Sequence, residues 1–189
     1  MVLPVIKPRW LEGAALASLR AVYRGSSRLL FLPGAVDDAL AAELREALAP
    51  VLQPYWIADR GRYARGDAMP LAELIEPVGV LVATVTGESL RLASAQWQRF
   101  TPGSYALHKD SAGAGERSVE ATLDFSAAAF PNAGFTYRRG ADTMPFTQEP
   151  LSLALVDRRP AAVRYDRYLP LSGAPAEVWR LRAAFISGA

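Results

Sequence analysis

From Ser89 onward the chain consists of short runs rich in Val, Leu, Phe, Tyr and Thr, separated by Gly, Pro and Asn-Ala-Gly breaks. Runs of about four to ten residues bounded by such breaks are typical of β-strands. The expected strands are 89–93, 95–100, 104–108, 118–125, 134–138, 151–156, 163–169 and 178–186. Eight short strands after a helical segment predict an α+β fold, a jelly-roll or cupin-like barrel with an N-terminal helical layer packed on one face.

The first half of the chain carries apolar residues mainly at helical spacing, interrupted by prolines and glycines. The expected elements are helices over 9–23, from the N-cap Asp37 to 51, and from Pro70 to Gly87, with short strands over 29–32 and within 55–67. We therefore expect one domain over residues 1–189, in which 1–88 is mostly helical support and 89–189 is the barrel core.

The composition excludes several classes of function. The 189 residues contain no cysteine, which rules out disulfides, zinc fingers and iron–sulfur sites and fits a reducing, cytoplasmic location. The isoelectric point near 9.1 comes from arginines scattered among acidic residues, so we expect no nucleic-acid partner. We also expect no membrane partner and no secretory leader, because no apolar run is long enough. Abundant Ala and Arg with scarce Lys is typical of GC-rich bacterial genomes.

The chain's only histidine, His108, is followed two residues later by Asp110. Alternate residues of a strand project to the same side, so an imidazole and a carboxylate here could share one metal ion. The turn signal Pro102-Gly103 places the pair near a strand end. In a purely structural interpretation, His108 is a hydrogen-bonded histidine at a barrel mouth and Asp110 is a turn residue.

Several segments resemble the iron(II)/2-oxoglutarate-dependent oxygenases of the prolyl-4-hydroxylase-like branch. The matching segments are 99–110 (RFTPGSYALHKD), 117–119 (RSV), 123–126 (LDFS), 132–137 (NAGFTY), 151–156 (LSLALV) and 179–185 (WRLRAAF). The resemblance implies a double-stranded β-helix with His108 and Asp110 as catalytic iron ligands. It also implies O₂ and 2-oxoglutarate as co-substrates, and a small molecule or peptide-bound residue as substrate.

The resemblance further implies an arginine on the last strand that grips the distal carboxylate of 2-oxoglutarate. Arg180 is our first choice and Arg182 the second, with Tyr105 as a hydroxyl donor to the same carboxylate. The planar guanidinium suits this role because it can donate two charge-assisted hydrogen bonds to a carboxylate. In a purely structural interpretation, both arginines are solvent-facing residues of an alternating strand.

The third iron ligand of the family is a histidine, and this chain has no second histidine. Matching the family's His-x-x-x-Pro tail places Asp166 at that position, and a shifted loop would place Tyr165 or Arg164 there. Asp166 would give one histidine and two carboxylates, which could hold Fe(II) or Mn(II). Arg164 would repel a cation and leave the site free of metal. Asp166 could equally be a strand carboxylate paired with a neighbouring arginine.

Two functions therefore stay open. The first is an iron(II)/2-oxoglutarate oxygenase that oxidises a small molecule or a peptide-bound residue. The second is a repurposed barrel that has lost iron and acts as a metal-independent enzyme or ligand-binding protein. Segments 55–67 and 112–116 are expected to border the pocket mouth. The sequence predicts neither the substrate nor the oligomeric state.

Overall fold

The computed structural model of the chain describes residues 5–25, 28–66, 71–108, 117–130, 132–147, 149–159, 162–171 and 177–188. The side chains of residues 71, 72 and 108 lie outside this description.

Three α-helices form the expected helical layer: α1 Gly13–Gly25, α2 Asp38–Leu48 and α3 Leu71–Thr86. A short 3₁₀ turn, Pro8–Trp10, precedes α1. The Asp37 side chain caps α2 as expected, because its Oδ1 accepts a hydrogen bond of 3.0 Å from the Leu40 amide. Helix α3 continues through Pro77 rather than restarting after it. None of the helices in the described part is long and apolar enough to cross a membrane.

Eleven strands in the described part form one continuous sheet. They are β1 Leu29–Leu32, β2 Gln53–Ile57, β3 Gly61–Gly66, β4 Leu90–Phe100, β5 Tyr105–His108, β6 Ser118–Asp124, β7 Phe135–Arg139, β8 Asp142–Phe146, β9 Leu153–Arg158, β10 Val163–Asp166 and β11 Val178–Ser187. Their order is β1-β9-β6-β11-β4-β3-β5-β10-β7-β8, with β2 paired to β3, and all pairs are antiparallel. This curled sheet with a helical layer confirms the expected double-stranded β-helix.

The structure differs from the expected strands in three places. Segments 89–93 and 95–100 form the single strand β4, because Ser94 continues the pairing with β11. The segment expected to be a short strand and a loop is the hairpin β2–β3. Strand β8 was not expected, since its sequence DTMPF contains a proline. Within the described residues β8 pairs with β7 alone, and a proline is tolerated in such an edge strand.

The two faces of the central strands β6 and β11 have opposite chemistry. On one face apolar side chains pack in the main hydrophobic core with residues of the helices, among them Ala121 and Leu123 of β6 and Leu181 of β11. The alternating residues, including Glu120 and Arg182, are just as buried but lie in the barrel interior. The barrel thus has an apolar outside under the helices and a charged inside.

Candidate functional site

The barrel interior holds the buried charged side chains of the described part of the chain. They come from β6, β9, β10 and β11 and comprise four arginines and three carboxylates. The carboxylates are Glu120, Asp124 and Asp166, and the arginines are Arg158, Arg164, Arg180 and Arg182. A charge is buried at high cost unless it is paired and hydrogen-bonded. The cluster is therefore the candidate functional site, and its pairings decide what it can bind.

Glu120 lies at the centre of the first group of contacts, and its side chain has no exposed surface. Arg182 donates from Nε to Oε2 (3.0 Å) and from Nη2 to Oε1 (2.8 Å), so both carboxylate oxygens are engaged. Arg158 Nη1 donates to Oε1 at 3.1 Å, and the Tyr137 hydroxyl donates to Oε2 at 2.8 Å. Every contact to this carboxylate comes from a donor, so the ionised form is stabilised.

These contacts set the protonation states of the group. Burial alone would raise the pKa of Glu120, but the neighbouring guanidiniums, Arg182 first, outweigh burial and hold that pKa at about 2. Burial, followed by the nearby Glu120 charge, raises the pKa of the Tyr137 hydroxyl above its usual range. At neutral pH the pair is therefore an ionised carboxylate and a neutral phenol.

Asp166 lies at the centre of the second group of contacts. Arg164 donates from Nε to Oδ2 (3.2 Å) and from Nη2 to Oδ1 (3.1 Å). Arg180 Nη1 also donates to Oδ1, at 2.5 Å. Arg164 is fully buried and reaches the Thr122 hydroxyl with Nη1 at 2.6 Å. Both oxygens of Asp166 are thus held by guanidiniums.

Arg180 is placed by further contacts deep in the barrel. Its Nη2 donates to the Ala133 carbonyl at 3.3 Å, and its Nε lies 3.7 Å from Asp124 Oδ2. The guanidinium also lies over the rings of Phe135 and Phe100, at 5.2 and 5.6 Å from their centroids. Arg180 is accordingly held by two carboxylates, a carbonyl and two aromatic faces.

Of the two expected iron ligands His108 and Asp110, the structure describes only the backbone of His108. His108 ends β5, and its backbone is paired in register with Arg164 of β10, while Asp166 pairs with Ala106. The residue directly across from His108 is therefore Arg164, one of the three alternatives left open by the sequence. The His108 side chain and Asp110 lie outside the described residues, so their ligation of a metal stays a prediction.

Tyr105 is not brought to Arg180. It alternates with the buried Ala106, whose cross-strand partner is Asp166, and so lies on the opposite face of β5. Its hydroxyl donates to the Ala58 carbonyl at 2.7 Å. The hydroxyl thus anchors the turn of the β2–β3 hairpin and faces away from the barrel interior.

The described residues do not fit the cofactors implied by the resemblance. Asp166 would have to leave two guanidiniums to ligate iron, and Arg180 and Arg182 would have to leave Asp166 and Glu120 to grip 2-oxoglutarate. Among the described residues, no group of three or more His, Asp and Glu side chains could hold a metal ion. A cation would also meet four buried arginines here.

A cavity of about 300 Å³ opens at one end of the barrel, where β7 and β9 end and β8 begins. Arg158 and Tyr137 line it and connect it to the Glu120 group. Its charged lining residues are Arg138, Arg139, Arg158, Arg159, Asp142 and Asp157. Guanidiniums outnumber carboxylates around this barrel-mouth cavity, which therefore suits an anionic ligand.

Sequence reasoning did not identify Glu120, Tyr137 or Arg158 as site residues. The sequence signal that could have identified Glu120 is its position inside the apolar run 118–125, between Val119 and Ala121. Such alternation is also the pattern of a strand with one solvent-facing side. Only the closure of the barrel shows that the polar side points inward.

Comparisons with solved structures find the same fold in oxygenases. A 2OG-Fe(II) oxygenase family oxidoreductase from Burkholderia pseudomallei matches over 93% of this chain and 92% of that one, with TM-score 0.66 and 14% identity. A Pseudomonas putida prolyl-4-hydroxylase matches over 92% and 100%, with TM-score 0.65 and 15% identity. The epimerase SnoN, in complex with Fe³⁺, alpha ketoglutarate and nogalamycin RO, matches over 93% and 85%, with TM-score 0.62 and 15% identity. No protein-family model matches the chain, and no curated protein is significantly similar to it in sequence.

The fold of this chain is that of the iron(II)/2-oxoglutarate oxygenases, which confirms the resemblance at the level of architecture. One of these neighbours, SnoN, binds iron, alpha ketoglutarate and the small molecule nogalamycin RO.

Proposed function

We propose that this protein is a repurposed barrel of the oxygenase fold that binds a small anionic molecule without iron. The observation that carries the proposal is the pairing of Asp166 with Arg164 and Arg180, with Arg164 directly across from His108. Arg164 is fully buried and lies across from His108, and we assign it to the position of the family's third metal ligand. This supports the alternative in which Arg164 leaves the site free of metal.

The charge balance supports an anion as the ligand. The interior combines four buried arginines with three carboxylates, and the barrel-mouth cavity adds the exposed Arg138, Arg139 and Arg159. Arg139 alternates with Arg138 and so lies on the same strand face as the inward Tyr137. A carboxylate or phosphate entering the mouth would meet the Arg139 side chain beside Arg158.

This proposal is tested by calorimetric titration of the protein with inorganic phosphate in the presence of EDTA. Wild-type protein should bind phosphate, and Arg139→Gln should weaken binding about ten-fold, the effect of losing one charge-assisted hydrogen bond. Arg91→Gln, an exposed arginine on β4 outside the cavity lining, should leave the affinity unchanged. Equal affinities in all three proteins, or no binding to wild type, would contradict an anion site at the mouth.

The second candidate is an iron(II)/2-oxoglutarate oxygenase that uses His108 and Asp110. The spacing of these two residues and the iron and alpha ketoglutarate bound by the neighbour SnoN favour it. In that case 2-oxoglutarate and iron would supply the oxidising chemistry. Asp166 and Arg180 would first have to separate, because each is the partner of the other.

A further inference from the structure

A second and larger cavity, of about 720 Å³, lies outside the barrel interior beside the β2–β3 hairpin. It is within the size range of pockets that enclose small ligands. Among its lining residues, Arg62 flanks the inward Tyr63 on β3, and Arg99 flanks the inward Phe100 on β4. Because strand residues alternate, both arginines lie on the outer face of the sheet. We call this site the outer cavity.

Aromatic residues line much of the outer cavity. Trp56 and Tyr105 lie across from Arg62 and so share its outer face, Tyr168 also lines the cavity, and Tyr55 and Tyr63 belong to the inward face. Trp56 is 76% exposed and Tyr168 is 51% exposed, and the neighbouring Leu171 is 72% exposed. Large apolar side chains so exposed and so close together mark a binding surface more often than isolated ones do. The Tyr105 ring is held in place by its hydrogen bond to the Ala58 carbonyl. A flat aromatic ligand would find stacking partners here.

Two guanidiniums give the outer cavity a positive charge. Arg62 is exposed and forms no ion pair with any described residue. Arg99 lies over the Trp179 ring at 5.3 Å, and its Nε is buried without a hydrogen-bond partner among the described residues. A buried donor left without a partner is costly, so an unfilled donor beside a cavity indicates a missing acceptor. Among the described residues, no aspartate or glutamate lines the cavity.

We propose that the outer cavity binds an aromatic carboxylic acid, with the ring against Trp56 and Tyr105 and the carboxylate between Arg62 and Arg99. The aromatic side chains of the outer face favour the ring of such a ligand. The two guanidiniums, which form no ion pair with any described residue, favour its acid group. The inference rests on the outer face of the sheet alone and does not depend on whether the barrel interior holds iron.

Calorimetric titration with 2-naphthoate and its neutral analogue 2-naphthamide tests this site. Wild-type protein should bind 2-naphthoate about ten-fold more tightly than 2-naphthamide, because only the acid can pair with the arginines. Arg62→Gln should remove that preference, while Trp56→Ala should weaken both compounds by about ten-fold. Arg91→Gln, at an exposed arginine of β4 that lines neither cavity, should change neither affinity.

Both substituted residues are exposed, so the variants should keep the wild-type circular dichroism and melting temperature. Equal affinity for the two compounds in wild-type protein would overturn the proposal, as would 2-naphthoate binding that survives Arg62→Gln or no binding at all. Because the phosphate titration tests Arg139→Gln and the naphthoate titration tests Arg62→Gln, with Arg91→Gln as the control for both, failure at one site is distinguishable from failure at the other.

Discussion

Glu120 shows how one carboxylate organises the barrel interior. Its two oxygens accept from Arg182, Arg158 and Tyr137, and a third guanidinium, Arg164, lies 3.9 Å away. Without the charge of Glu120, three buried arginines would face each other across the strands. Each of these side chains is therefore retained in its charged form by the others.

Removing that charge should destabilise the protein strongly. Glu120→Gln keeps the size of the side chain but leaves the guanidiniums without their counter-charge, and we expect a loss of about 3–5 kcal/mol in the free energy of unfolding. Urea denaturation measures it. Glu46→Gln, on the exposed side of α2, is the matched control and should change stability by less than about 0.5 kcal/mol. A loss for Glu120→Gln no larger than the control's would show that the ion pairs contribute nothing.

Lowering the pH should also destabilise the protein, because it protonates Glu120. The pKa of Glu120 is held at about 2 in the folded protein, below its ordinary value of 4.5. The stabilisation is therefore complete above about pH 4.5 and is lost as the pH falls toward 2, and it amounts to about 3 kcal/mol. Unfolding free energies measured from pH 6 to 2.5 should fall more steeply for wild type than for Glu120→Gln. Parallel curves would contradict the assigned pairing.

The residue-scale prediction from sequence was incomplete for a physical reason. The family resemblance suggested Asp166 as a metal ligand, and its neighbouring arginines suggested an ion pair instead. The structure shows two guanidiniums on its carboxylate. Arg164 stands two residues before Asp166, so this partner is visible in the sequence. The other, Arg180, comes from a strand that only the three-dimensional fold brings into contact.

At the scale of elements, alternation within strands separates packing from chemistry. Strand β6 is buried at every residue, with Val119, Ala121 and Leu123 in the main apolar core and Glu120 and Thr122 in the interior. Its alternating pattern was readable from the sequence. Sequence could not show that the polar face is buried, because the same pattern describes a sheet exposed on one side.

The junction of β7 and β8 supplies a test at this scale. Gly134 precedes β7, and a methyl group on it would overlap the carbonyl oxygen of Phe146 in β8. Gly134→Ala should therefore push the two strands apart and destabilise the protein by about 1–3 kcal/mol. The control is Gly13→Ala in α1, where the added methyl would meet no atom of the described residues and stability should be unchanged or slightly higher. The melting temperatures of both variants, measured by thermal unfolding, test this prediction. Equal melting temperatures would contradict the close approach of Gly134 to the Phe146 carbonyl.

The elements that sequence missed lack strong local signals. Strand β8 contains Pro145 and shows no regular alternation, and β2 begins Gln53-Pro54. Both strands are stabilised by pairing with one neighbour, β7 or β3. Pairing between segments depends on tertiary structure, so local propensity does not predict it.

At the scale of the whole molecule, the fold is that of the oxygenases, but the contacts in the barrel interior indicate a different use of that fold. The chain shares its architecture with oxygenases over more than nine-tenths of its length, at 14–15% identity. The described interior instead pairs the arginines and carboxylates with one another. A fold can keep its layers and strand order while the chemistry of its interior changes. The fold class was predictable from the sequence, and the use of the interior was not.

The central claim is that the interior ion pairs take the place of an iron and 2-oxoglutarate site. It is tested most directly by anaerobic titration of the metal-free wild-type protein with Fe(II) and 2-oxoglutarate, followed by visible absorption and by elemental analysis after desalting. His108→Ala is titrated in parallel. We expect no charge-transfer band and no retained metal in either protein. A visible band and stoichiometric iron in wild type, both lost in His108→Ala, would contradict the claim and establish the oxygenase.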